Sequence, residues 1–129
     1  MPEPGAPATL EEFQALRRAA RMSTFPDPAV ALSLERTLHG VWLREGETLI
    51  AMGRLTGDGA CFVQVNDVAV HPDWQGQGLG TQVMDRLMGW AESNLPKGCY
   101  ISLIADAGAE RLYEKAGFAL RTGMARRVP

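Results

Sequence analysis

The sequence predicts an α/β fold built on a mixed β-sheet, and three observations carry that prediction. Three apolar, β-branched runs, Val41 to Arg44, Thr48 to Thr56 and Cys61 to His71, are separated only by the turns Glu45-Gly46 and Gly57-Asp58-Gly59. They therefore pair as an antiparallel meander. A long amphipathic segment follows, with Leu79, Val83, Leu87 and Ala91 at fourfold spacing. Beyond it lies a further apolar run, Tyr100 to Ile104. A strand reached through a whole helix lies parallel to the strand before that helix.

Taken in order, the chain opens M-P-E-P-G-A-P, a poor strand. Residues 1–8 are expected to form a mobile arm and residues 9–129 a single domain. Thr9 with Glu12 three positions on makes a capping box, and Leu10, Phe13 and Leu16 carry the first helix from there. Phe25-Pro26-Asp27-Pro28 breaks it. A second helix places Val30, Leu34 and Leu38 on one face and ends at Gly40.

The strand from Cys61 switches parity: Val63 and Val65 are apolar at odd positions, Val68 and Val70 at even ones. Side chains alternate faces, so the switch at Asn66-Asp67 implies one extra residue, a β-bulge, unless the strand is buried on both faces. The helix from Leu79, with Met84 and Met88 as core filler, stops at Pro96 and Gly98. A last helix, Ala109 to Ala116, ends at Gly117 as a left-handed cap, and Phe118 to Ala125 has room for one more strand.

Between strand and helix the chain reads V-A-V-H-P-D-W-Q-G-Q-G-L-G-T, from Val68 to Thr81. Glycines admit backbone N–H groups close to a phosphate, and the helix that follows adds unpaired donors and the positive end of its dipole. The spelling is not that of the P-loop, which needs Lys and a hydroxyl after its last glycine. Gly76, Gly78 and Gly80 also give G-x-G-x-G rather than the dinucleotide pattern G-x-G-x-x-G.

The stretch instead resembles the acetyl-CoA loop of the GNAT superfamily of N-acetyltransferases, [QR]-x-x-G-x-[GA], through Gln75, Gly78 and Gly80. A second motif of that family, N-x-x-A-x-x-[LF]-Y-x-x-x-G-F, is matched in register by Asp106, Ala109, Leu112, Tyr113, Gly117 and Phe118, with Asp106 in place of Asn. The motif-bearing part runs from about Val63 to Phe118, and the remainder is similar only in its order of elements.

The resemblance implies a GNAT-like fold: a mixed, twisted sheet flanked by helices, whose bulged central strand is splayed from the next parallel strand to admit the pantetheine arm. It implies acetyl-CoA as co-substrate and direct transfer of its acetyl group to a primary amine. Val68, Ala69, Val70, Gln75, Gly76, Gln77, Gly78, Leu79, Gly80, Thr81, Asp106, Ala109 and Tyr113 would then contact the cofactor. It also implies an initial strand and a C-terminal hairpin for which this chain has little room, so a second subunit would complete the acceptor site.

An alkyl amine with a pKa of about 10.4 costs about 4–5 kcal/mol to deprotonate at neutral pH, so a base or a water chain is needed. Family position makes Asp67, on the bulged strand, the candidate base. The position that most often carries glutamate aligns nearer Gln64. Glu35, His71, Asp106 and a solvent relay are the alternatives.

Unpaired backbone near Val68 to Val70 would donate to the developing oxyanion. Tyr113, by its motif position, is the candidate acid for the leaving thiolate, or else packs beside the cofactor. Asp106 accepts from the pantetheine or caps the last helix. Trp74 packs against the loop. Phe25 and Asp27, in the turn between the first two helices, are the candidate acceptor contacts, or else an ordinary staple and cap. The missing glutamate and short ends leave a second reading, a catalytically idle acyl-CoA-binding or regulatory module.

Lys and Arg total 13 against 15 Asp and Glu, a net charge of −2, which supplies no field for nucleic acid or an acidic membrane. Arg17, Arg18 and Arg21, like Arg126 and Arg127, read as solvated surface. Cys61 and Cys99 form neither a metal-ligand spacing nor a disulfide framework, and His39 and His71 do not extend them. No metal is expected. No basic, apolar leader opens the chain, which points to a cytoplasmic protein. The expected partners are a small-molecule or peptide amine and a second copy of the chain.

Overall fold

The computed structural model describes residues 2–129. The elements are β1 (Glu3–Pro4), α1 (Leu10–Ala19), α2 (Asp27–Glu35), β2 (His39–Glu45), β3 (Thr48–Gly57), β4 (Phe62–Val70), α3 (Leu79–Asn94), β5 (Tyr100–Ser102) and α4 (Glu110–Lys115). They build one sheet in the order β1-β2-β3-β4-β5, antiparallel throughout except for the parallel pair β4–β5. Each face of the sheet carries a core. On one face α3 sets Leu79, Val83, Met84 and Leu87 against residues such as Val41, Leu43 and Leu55. On the other, Phe13, Leu16 and Val30 of α1 and α2 cover Trp42, Leu49 and Met52.

The parity switch in β4 is a bulge. Met52 pairs with Ala69 and Arg54 with Asn66, so Gly53 of β3 faces two residues of β4, Asp67 and Val68. Asp67 takes a left-handed backbone, φ +59°. In consequence Val63 and Val65 before the bulge and Val68 and Val70 after it all pack toward α3, while Ala69 joins the opposite core. Gly53 lets α3 approach: a Cβ there would lie 2.6 Å from Val83 Cγ1 and 3.0 Å from Leu87 Cδ1.

Four details differ from the sequence reading. The opening segment, expected to be an arm and a poor strand, contributes β1, with Glu3 opposite Arg44 and Pro4 opposite Leu43. Arg44 fixes it by donating to the carbonyls of Ala6 (3.1 Å) and Pro7 (3.3 Å), while the Gly5 N–H reaches Trp42 O at 2.9 Å. The second helix ends at Glu35 rather than Gly40, because the Leu38 N–H pairs with Leu55 O at 2.9 Å and sheet pairing overrides helical spacing. The strand from Tyr100 is laddered only to Ser102, as β5 parts from β4 beyond Gln64. Phe118 to Ala125 forms no strand: every residue from Ala119 to Ala125 is exposed, Leu120 and Met124 at 80% and 93%, so no buried apolar face anchors one.

Candidate active site

The parting of β4 from β5 opens a cleft of ≈ 920 Å³, walled on one side by α1, α2 and the bulge, and on the other by Leu103, Ile104, Asp106 and Tyr113. The ladder ends at Gln64–Ser102, so the backbone of β4 from the bulge to Val70 has no partner strand on this side. The Val70 carbonyl accepts from the Gln75 amide at 3.1 Å. Residues two apart in a strand direct their peptide groups the same way, so Val68 presents its N–H to the same gap.

Asp67, the bulge residue, is buried, and both its oxygens are engaged. Arg17 Nη1 donates to Oδ1, and Arg54 Nε donates to Oδ2 at 2.8 Å. Arg54 is held further by Ser33 O, Ser33 Oγ and Thr37 Oγ1, each at 2.9 Å, and Arg17 Nε by Ser23 O at 2.7 Å. One carboxylate thus ties α1, α2, β3 and β4 together. Two buried guanidiniums on one carboxylate satisfy charges that would be costly alone.

Tyr113 of α4 is half-buried, and burial first, then the negative charge of Asp106, pushes its phenol above its usual range. It therefore keeps its proton at neutral pH. The Asp106 side chain does not cap α4, in contrast to the capping expectation. Its backbone carbonyl accepts from the Ala109 N–H at 3.0 Å, and the helix has no side-chain cap.

The loop before α3 has the expected construction. Gly76 (φ +80°) and Gly78 (φ +79°) are left-handed, Gly78 is the N-cap of α3, and a Cβ on either would meet nothing within 4 Å. Their absent side chains leave the first N–H groups of a sixteen-residue helix open to an anion. Gly80 faces Leu112 of α4, and a Cβ there would lie 3.4 Å from it, an ordinary van der Waals contact. Leu79 is buried and pins the helix start to the core, while Gln77 and Thr81 are exposed.

Of the residues singled out from sequence, Phe25, Asp67, Val68, Asp106 and Tyr113 line one cleft. Asp27, Ala69, Val70, Ala109 and the residues from Gln75 to Thr81 do not. Asp27 begins α2, and its Oδ1 accepts from Gln14 Nε2 at 3.3 Å. His71 is a turn residue, its Nδ1 accepting from the Asp73 N–H at 3.1 Å, and Trp74 packs on the α3 core. Arg17 and Arg127, read from sequence as solvated surface, line the cleft together with Arg36 and Arg54, which the sequence did not single out, and Arg17 is buried at 6% exposure because it pairs with Asp67. Arg17 and Arg127 lie 5.2 and 5.5 Å from the Phe25 ring centroid.

A bulged strand splayed from its parallel neighbour, a glycine loop opening a long helix and a protonated tyrosine over the gap define an α/β protein with an acyl-transferase-like site. The acetyltransferase (GNAT) family model matches residues 8–118, and the chain belongs to that family. It is 33% identical over 116 residues to an uncharacterized ycf52-like N-acetyltransferase of Prochlorococcus marinus, covering 86% of this chain and 63% of that protein. It is 36% identical over 89 residues to serotonin N-acetyltransferase 2 of rice, Oryza sativa, covering 62% of this chain and 42% of that one. The chain thus spans less than two thirds of the length of these curated relatives.

Among solved structures, a probable acetyltransferase of unknown function from meticillin-resistant Staphylococcus aureus superposes with a TM-score of 0.90 at 35% identity, covering 99% of this chain and 98% of that one. The ribosomal-protein-S18-alanine N-acetyltransferase of Escherichia coli shares the fold, with a TM-score of 0.76 at 24% identity over 95% of this chain and 80% of that one. No helix among the described residues is long and apolar enough to cross a membrane.

Proposed function

We propose that this chain transfers the acetyl group of acetyl-CoA to a primary amine seated in the cleft. The observation that carries the reading is the parting of β4 and β5, which brings unpaired strand backbone and Tyr113 into one space. Bound there, acetyl-CoA supplies an activated thioester. In this reading Gln75, Gly76, Gln77, Gly78, Gly80 and Thr81 cradle its phosphates on the N-terminus of α3. Val68 and Val70 offer N–H groups to the carbonyl oxygen as charge builds on it. Tyr113 gives its proton to the departing thiolate.

Asp67 acts here as a positioning residue rather than as the base, since two guanidiniums occupy both its oxygens. Water at the cleft then carries the proton from the amine. Gln64 lines the cleft where the family most often has glutamate, and this favours as second reading an acyl-CoA-binding module without turnover. The expected setting is cytoplasmic, with a small-molecule or peptide amine as acceptor, a second copy of the chain as partner, and no nucleic acid, membrane or metal.

Isothermal titration with acetyl-CoA, run beside the Gly78→Glu variant, tests the proposal. Micromolar binding that the variant abolishes, followed by amine-dependent release of free thiol, is the expected result. Binding without thiol release across a panel of amines would favour the idle module. No binding by the folded protein would overturn both readings.

A further inference from the structure

The charges that line the cleft are unlike those of the whole chain. The chain carries a net −2, yet the cleft wall brings together Arg17, Arg36, Arg54 and Arg127 with only Asp67 and Asp106. Asp67 is consumed by Arg17 and Arg54, and every nitrogen of the Arg54 guanidinium has an acceptor. That leaves three unmatched donors on the α1–α2 side. Arg17 bonds through Nε and Nη1 and has Nη2 without a partner among the described residues. Arg17 lines the cleft with its side chain 8% exposed. Arg36 and Arg127 have no ion pair among the described residues.

Phe25 concentrates this charge. Its ring takes the guanidinium of Arg17 at 5.2 Å and that of Arg127, from the far end of the chain, at 5.5 Å. Two cations beside one ring make a site that an anion relieves, and Asp27, two residues on from Phe25, accepts from Gln14 Nε2 at 3.3 Å and forms no ion pair with either cation among the described residues. Asp106 belongs to the opposite wall, beside Tyr113. The cleft is therefore polarised, with cations at the α1–α2 end and the phenol and a carboxylate at the other.

We propose that the acceptor amine carries an anionic group, a carboxylate or a phosphate, which Arg36, Arg127 and the unpaired Nη2 of Arg17 hold while the amine points toward Tyr113. This rests on the acetyl-transfer reading. A guanidinium suits either anion, because its fork meets two oxygens at once. The phosphates of the co-substrate are not the natural occupant, since the loop assigned to them does not line the cleft.

Amines matched in basicity but differing in the distal group provide the test: γ-aminobutyrate against butylamine, and 3-aminopropyl phosphate against 3-aminopropanol. Thiol release gives kcat/KM for each, and calorimetry on the CoA-loaded protein gives binding without turnover. The anionic member of at least one pair should be favoured about tenfold or more, as one charge-assisted pair commonly gives. Whichever pair shows the preference names the group as carboxylate or phosphate. The Arg36→Gln/Arg127→Gln double variant should bring that ratio close to one, while Arg18→Gln, on the exposed side of α1, should keep it. Neutral members bound and used as well as anionic ones, or a ratio untouched by the double variant, would overturn the proposal. Anion-selective binding without thiol release from any amine would overturn acetyl transfer and leave the anion site standing.

Discussion

Asp67 joins a left-handed backbone to a buried carboxylate with two guanidiniums on it. Replacing it by Asn keeps a residue that tolerates that backbone and removes only the charge. Asp67→Asn should cost about 3–5 kcal/mol, because Arg17 and Arg54 are left buried with no counter-charge; chemical denaturation measures it. A variant as stable as the parent yet inactive would restore Asp67 as a base. Tyr113→Phe should leave acetyl-CoA binding intact and lower kcat about 10²-fold, the low end for a general acid, as thiolate leaves readily. Because the phenol is pushed above its ordinary 10.0, its protonated form persists through neutral pH. The alkaline limb of the wild-type rate profile should lie above pH 10 and be missing from the variant. The bulge at Asp67 was legible because valine parity reports which face a side chain takes. Its partners were not, since Arg17 and Arg54 lie fifty and thirteen residues away. Signals did exist: Arg17 falls four residues after Phe13 on the apolar stripe of α1, and Arg54 interrupts a run of buried residues in β3. A charge in such a position needs a partner.

Among the elements, β1 depends most on one residue elsewhere. Arg44 grips both oxygens of Glu12 at 2.8 Å while holding Ala6, Pro7 and Glu47 through their carbonyls. Its hydrogen bonds, and next the Thr9 N–H, hold the Glu12 carboxyl down at about 2 against an ordinary 4.5. A depressed carboxylate stabilises the fold above its ordinary pKa and loses that contribution as pH falls through the folded value. The β1 pairing should therefore weaken between pH 4.5 and 2, read as faster exchange of the Gly5 amide. Arg44→Ala should show the same release at neutral pH. Prolines masked this strand in the sequence, as a side chain forty residues on secures it. In the sheet interior, Gly53→Ala should destabilise by about 1–3 kcal/mol through overpacking against Val83 and Leu87, seen as a lower thermal midpoint. The helices with capping or glycine signals, α1 and α3, were read correctly at their starts. The end of α2 was not, because Leu38 continued its apolar spacing while belonging to the sheet.

Across the whole molecule, the edge strand β5 has its outer side unpaired, and Phe62, Tyr100 and Ile104 are 68%, 53% and 68% exposed beside it. Exposed edges of this kind invite pairing, and sedimentation at high concentration should give the mass of a dimer, a monomer ruling the pairing out. The order of the central elements was legible because each is short-range in origin: turns, caps and periodicity. The cleft was not, because its arginines come from both ends and the middle of the chain. The gap between β4 and β5 also has a thermodynamic consequence. A peptide group lacking a ladder partner takes a side chain or water instead, as the Val70 carbonyl takes the Gln75 amide, so the seam is a polar lip along a cleft whose lining is mostly apolar. A guest that enters it exchanges water hydrogen bonds for strand hydrogen bonds. Its binding there should release heat through those bonds and lower the heat capacity through the apolar lining it covers.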